Sequence, residues 1–233
     1  MKAKVPKWES ELWSYISRGD GENCALYSHC QDRLSGKWCI SENKELVELL
    51  LRDSHKRLPD TDDAPVNYDT VIKFVDCKIF NLVDTLAQSF VRKGKVRCPP
   101  VPSELASMAD ERYPIEIRLI PLARLSGAIW GLKESWVIQL NRNDPPNIRR
   151  FSLFHEAFHI LAHCRADPVF KKRGGRSGAF NELLAEYFAS CVLMPTKWVS
   201  EHWSRIKDVD KMAEVFEVPE LQMWLKLKSL GLI

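Results

Sequence analysis

Residues 149–163 read Arg149-Arg150-Phe151-Ser152-Leu153-Phe154-His155-Glu156-Ala157-Phe158-His159-Ile160-Leu161-Ala162-His163, and the fold of the chain follows from what this stretch requires. Ile148, Phe151, Phe154, Phe158 and Leu161 recur at helical spacing, which predicts a helix over residues 147–164. On that helix His155 and His159 stand one turn apart on one face. Both imidazoles can then reach a single metal ion at about 2.0–2.1 Å. Glu156 is one step round the helix, beside the ion rather than on it, where it can take a proton from an activated water. The pattern H-E-x-x-H therefore points to zinc and to hydrolysis, with His155 and His159 as metal ligands and Glu156 as catalytic base.

A catalytic zinc needs a third protein ligand and an open position. His163 is four residues beyond His159, but a continuous helix puts it about 12 Å along the axis from His155. No glycine breaks Ile160-Leu161-Ala162, so His163 is expected to pack or to support the site from outside. Asn181-Glu182-Leu183-Leu184-Ala185-Glu186 opens a second predicted helix, over 180–194 and stopped at Pro195. Glu182 is expected to be the third ligand. Glu186, one turn further on the same face, is expected to accept the free N–H of a ligating imidazole and so fix its tautomer.

Working outward, the hydrophobic period changes upstream. Ile115, Ile117 and Leu119 alternate as in a half-buried strand. Ala128-Ile129-Trp130 and Trp136-Val137-Ile138-Gln139-Leu140 flank a turn and read as a β-hairpin. A short helix is expected over 103–112, a longer one over 68–91, and another opening at Ser41. Residues 58–67, with Pro59 and Pro65, read as a linker. The chain is helical again from 196 to its end. The fold class expected is α+β: a small antiparallel sheet packed against helices that carry zinc, with an extra helical N-terminal region and a helical C-terminal segment.

Composition bounds the function. The formal net charge of +3 and pI of about 8.4 are too mildly basic to imply nucleic acid as a partner. No run of 18 apolar residues predicts a membrane span. Charged residues interrupt the first sixteen positions, so no secretory signal is read and a cytoplasmic location is expected. Of the seven cysteines, Cys24, Cys30 and Cys39 cluster with His29. Their spacing departs from the tight C-x(2–4)-C pairs of structural zinc sites and favours free thiols over a second, structural metal there. Were a metal to bind, Cys77 or Cys98 would complete the set. Lys171-Lys172-Arg173-Gly174-Gly175-Arg176 forms a basic loop between the two metal helices, read as a solvated loop or as a lid over the cleft.

The sequence also resembles the ImmA/IrrE-type metallopeptidases. Three blocks in order carry the likeness: residues 149–163 quoted above, Glu182-Leu183-Leu184-Ala185-Glu186-Tyr187-Phe188-Ala189 with Cys191-Val192-Leu193-Met194-Pro195, and the ending from Val209 to Ile233 with Met212-Ala213, Phe216-Glu217-Val218 and Leu227 to Leu232. Pro121-Leu122 and Gly127 fit as well, and the likeness runs from about residue 103 to the end. It implies a zinc endopeptidase with His155, His159 and Glu182 as ligands and Glu156 as base. The implied protein substrate is a helix-turn-helix transcriptional repressor, whose cleavage induces a mobile element or a stress response. Phe158 stands where the family usually has Gly, and Glu186 where it has Asn; Phe158 is expected to make the cleft bulkier. Three parts are expected: a Cys-containing N-terminal region over 1–65, an ImmA/IrrE-like metallopeptidase domain over 66–200, and a helical segment over 201–233.

Two other classes remain open. One is a non-catalytic zinc-containing regulator that binds a repressor or DNA through residues 209–233. The intact Glu156 argues against it, because a structural zinc needs no base. The other is a DNA-binding protein with residues 1–40 as a zinc module.

Overall fold

The computed structural model describes residues 5–17, 78–123, 125–165 and 176–233. In chain order it contains α1 (Lys7–Ser17), α2 (Lys78–Lys93), a 3-10 helix (Ser103–Ala109), β1 (Ile115–Ile120), β2 (Gly127–Gly131), β3 (Trp136–Asn141), α3 (Pro146–Arg165), α4 (Arg176–Leu193), α5 (Thr196–Ile206), α6 (Val209–Phe216) and α7 (Glu220–Ser229). The class is α+β. The helix expected from Ser41, the linker at 58–67, the cluster Cys24, His29, Cys30 and Cys39, and the loop at 171–175 lie outside the described residues, as does Cys77.

The helix with the paired histidines, α3, organises the rest. Phe151, Leu153, Phe154, Ala157, Phe158, Ile160, Leu161 and Ala162 are all buried, so apolar surface runs round most of its circumference. A helix of that kind must be covered on several sides. Here β2 and β3 cover one side, α4 another and the 3-10 helix a third. Pro146 occupies its first position, where no intrahelical N–H is needed. The neighbouring α4 buries Leu184, Ala185, Phe188, Ala189, Cys191, Val192 and Leu193, and Pro195 follows its end. Against α4 lies α2, which is amphipathic: Phe80, Val83, Leu86, Ala87 and Phe90 are buried, while Asn81, Thr85 and Gln88 face solvent.

Arg150 fastens the start of α3. Its guanidinium donates to the Val101 carbonyl and, at 3.3 Å, to Ser103 Oγ, and it lies 3.3 Å from Glu217 Oε2 just beyond α6. Burial draws the pKa of this group below its ordinary value, and Glu217 and Glu104 draw it back up. The expected 103–112 helix is shorter and tighter, a 3-10 helix over Ser103–Ala109 in which Ser107 Oγ bonds the Glu104 carbonyl three residues back at 2.7 Å. Asp110, in extended conformation, ends it.

The sheet corrects one expectation. Its order is β1-β3-β2, with β2 and β3 the antiparallel hairpin foreseen but β1 parallel to β3. After β1 the chain crosses to the far edge before β2, and the hairpin then folds β3 back into the middle. The Asn141 side chain pins this crossing: Oδ1 accepts from Leu122 N at 3.2 Å and Nδ2 donates to Leu122 O at 3.1 Å. Trp136, Ile138 and Leu140 of β3 join the core, whereas β1 is an edge strand with Ile117 45% and Leu119 43% exposed, more open than the half-buried strand foreseen. The α3 helix packs on β2 and β3, and β1 lies beyond it. None of the described helices is long and apolar enough to cross a membrane.

Phe158 is a second correction. It is fully buried, with the Trp13 ring centroid 6.4 Å away and that of Phe188 at 5.3 Å, and it fills the core instead of the cleft. On α3 it follows Phe154 by one turn and packs toward α1 and α4, with the His159 ring centroid 6.3 Å away. The helix α1 thus belongs to the same core, with Leu12 and Trp13 both buried. Removing the indole leaves a cavity beside Phe158. Trp13→Ala is expected to destabilise the protein by about 3–5 kcal/mol, read as a lower urea midpoint. An unchanged midpoint would mean that α1 does not pack on α3.

Candidate metal centre

The backbone of α3 is unbroken from Pro146 to Arg165, so His155 and His159 share a face and converge. Their Nε2 atoms are 3.1 Å apart and their ring centroids 4.9 Å. Two imidazole nitrogens on one tetrahedral zinc stand about 3.3 Å apart, from Zn–N bonds of about 2.0–2.1 Å. The pair therefore fits one ion between them. His159 is buried and His155 part-buried, which leaves the approach on the His155 side.

Behind His155 lies Glu186 of α4. Its Oε2 is 3.1 Å from His155 Nδ1, and its Oε1 accepts from Gln222 Nε2 of α7 at 2.7 Å. An ionised carboxylate only accepts, so the proton between it and the ring belongs to Nδ1. In the neutral imidazole Nε2 is then the bare nitrogen, the one that can meet a metal. Glu182 sits one turn before Glu186 in α4, and its side chain lies outside the described residues. Among the described residues no group of three or more His, Cys, Asp or Glu side chains gathers as a full metal cage.

Glu156 is buried, 8% exposed, and lies against β2. A Cβ at Gly127 would stand 2.8 Å from Glu156 Oε1 and 2.9 Å from its Cγ, so only glycine lets this strand pass so close under the carboxylate. His163, two turns from His155, sets its ring edge-on to Trp136 at 5.0 Å. The Trp136 indole in turn donates to Asp110 Oδ2 at 3.1 Å. His163 thus packs on the sheet, away from the converging pair.

Two residues escaped the sequence. Gly127 carried a signal, a glycine opening a strand, which is compatible with a close backbone approach. Gln222 carried none, since it stands 36 positions from Glu186 in a different helix. The same two helices meet again where Lys226 Nζ lies 3.9 Å from Cys191 Sγ. Burial there pushes the Cys191 thiol up to about 11, against the opposing pull of Lys226.

Within an α+β core, the buried α3 brings two imidazoles to one point. The match is specific: the Peptidase_M78 family, described as the IrrE N-terminal-like domain, covers residues 110–228, more than half of the 233, and this chain belongs to that family. Among solved structures it is similar to a Mycobacterium tuberculosis transcriptional regulator at 15% identity, over 70% of this chain and 52% of that one, with a TM-score of 0.49. The chain thus spans about half the length of that protein. No curated protein matches.

The contact at Gly127 is testable without an assay of function. Gly127→Ala is expected to cost about 1–3 kcal/mol by overpacking against Glu156. In a Glu156→Ala background, where the space is vacated, the same change should cost less than about 0.5 kcal/mol, as read in a urea double-mutant cycle. Equal costs in both backgrounds would place Glu156 away from β2.

Proposed function

We propose that this chain is a zinc-dependent endopeptidase, with His155, His159 and Glu182 holding the metal and Glu156 as the catalytic base. The observation that carries the reading is the convergence of the His155 and His159 Nε2 atoms, 3.1 Å apart, with Glu186 accepting behind His155. Membership of a peptidase family supports the same class of chemistry. Glu182, one turn before Glu186 on α4, supplies a carboxylate of the kind that completes a His₂Glu set and leaves one position open.

When bound, zinc supplies Lewis acidity at that open position. The chain's own residues do the rest. Glu186 holds His155 in the tautomer that leaves Nε2 unprotonated. Glu156 lies beside the paired histidines without being one of the ligands, so it takes the proton of the attacking water and passes it to the departing amide nitrogen. Its burial against Gly127 excludes bulk water from that proton transfer. Through its resemblance to the ImmA/IrrE-type peptidases, the substrate is a helix-turn-helix transcriptional repressor, and its cleavage switches on a mobile element or a stress response.

His155→Ala or His159→Ala is expected to abolish zinc uptake, and Glu182→Ala to weaken it strongly, while His163→Ala leaves it intact. Elemental analysis of purified protein checks these. Glu156→Gln should retain zinc and cleave a repressor encoded beside this chain at least about 100-fold more slowly. Full zinc occupancy in the double histidine variant would remove the metal assignment. A Glu156→Gln protein that supports the wild-type biological output would favour the non-catalytic regulator.

A further inference from the structure

The last helix reaches the metal centre from outside the two helices that carry the motif residues. Glu186 has two carboxylate oxygens and both are engaged: Oε2 with His155 Nδ1 at 3.1 Å, Oε1 with Gln222 Nε2 at 2.7 Å. Glu186 is 8% exposed and Gln222 4%, so no bulk water stands in for either partner. A buried carboxylate with one donor removed is left under-satisfied and free to turn about its last torsion. The Gln222 amide prevents that by occupying Oε1, which keeps Oε2 aimed at the imidazole. The amide itself is held from α7. Leu221, Met223 and Leu227 on that helix are buried, and Lys226 lies against Cys191 of α4.

We infer that Gln222 is a positioning residue of the metal centre, acting through Glu186 to fix the tautomer and orientation of His155. This rests on the proposed metal-binding reading of His155 and His159. It goes beyond that reading by making the C-terminal helix part of the support of the site. It also accounts for the carboxylate at position 186: a glutamate there needs a second donor, and Gln222 provides it. The helix that contributes this donor packs on α6 and meets α4 at Gln222 and Lys226, which ties it to the helix that carries Glu186.

The test is a double-mutant cycle read as zinc affinity of the apo-protein in competition with a chromophoric chelator. Gln222→Met keeps the length and removes the donor. It is expected to raise the zinc Kd about tenfold, the lower end of the effect of groups that support a metal ligand from behind. In a Glu186→Ala background the same substitution should change the Kd less than about twofold, because its route to the metal is gone. Gln222→Ala provides a second variant, and the urea midpoint of each protein establishes that it is folded. An unchanged Kd in folded Gln222→Met, or an equal loss with and without Glu186, would overturn the inference and leave the metal centre standing. Wild-type protein that takes up no zinc would overturn the metal reading and, with it, this inference.

Discussion

The structure depends on a conflict inside one helix. α3 is buried on most of its circumference, with Phe154, Phe158, Ile160 and Leu161 at the centre of the core, yet it also carries His155, Glu156 and His159. Each apolar side chain contributes roughly 1.5–3 kcal/mol on burial. Each buried polar group left without a partner costs about 1–3 kcal/mol. The helix is stable as a core element only if the polar face is satisfied from neighbouring elements. Glu186 of α4 meets His155, Gly127 of β2 makes room for Glu156, and the two imidazoles face one another. The packing of the sheet and of α4 on α3 is therefore also the construction of the site.

Two positions where this chain departs from the family pattern meet residues from distant parts of the chain. Phe158 fills space beside Trp13, so a large side chain on α3 goes with packing of α1 on the core. Glu186 brings a second carboxylate oxygen into the interior, and Gln222 of α7 meets it. In each case the compensating residue lies far away in sequence and near in space. Glu186 meets His155 from behind, at Nδ1, and leaves the Nε2 atoms of His155 and His159 to converge.

Much of the site was legible because helical spacing is local information. A spacing of four positions from His155 to His159, and of four from Glu182 to Glu186, fixes which groups share a face before any tertiary structure is known. The continuity of α3 past Ala162 also followed from the lack of a breaker, and it sends His163 to Trp136. The β2–β3 hairpin was readable from alternation and a short turn. The edge taken by β1 was not, because pairing direction depends on the crossing after Ile120 and on Asn141, which nothing in the strand's own pattern encodes. The orientation of Phe158 is not legible for a related reason: its neighbours Trp13 and Phe188 come from other helices. Gln222 lay beyond any local rule.

The proposed site holds one metal ion through two imidazoles of α3 and through carboxylate and solvent oxygen, with no thiolate. X-ray absorption at the zinc edge of the reconstituted full chain tests it most directly. A single shell of nitrogen and oxygen neighbours at about 2.0–2.1 Å is expected, with the outer-shell scattering of two imidazole rings. A sulfur shell at about 2.3 Å, or scattering from fewer than two rings, would contradict it and move the zinc to the cysteines.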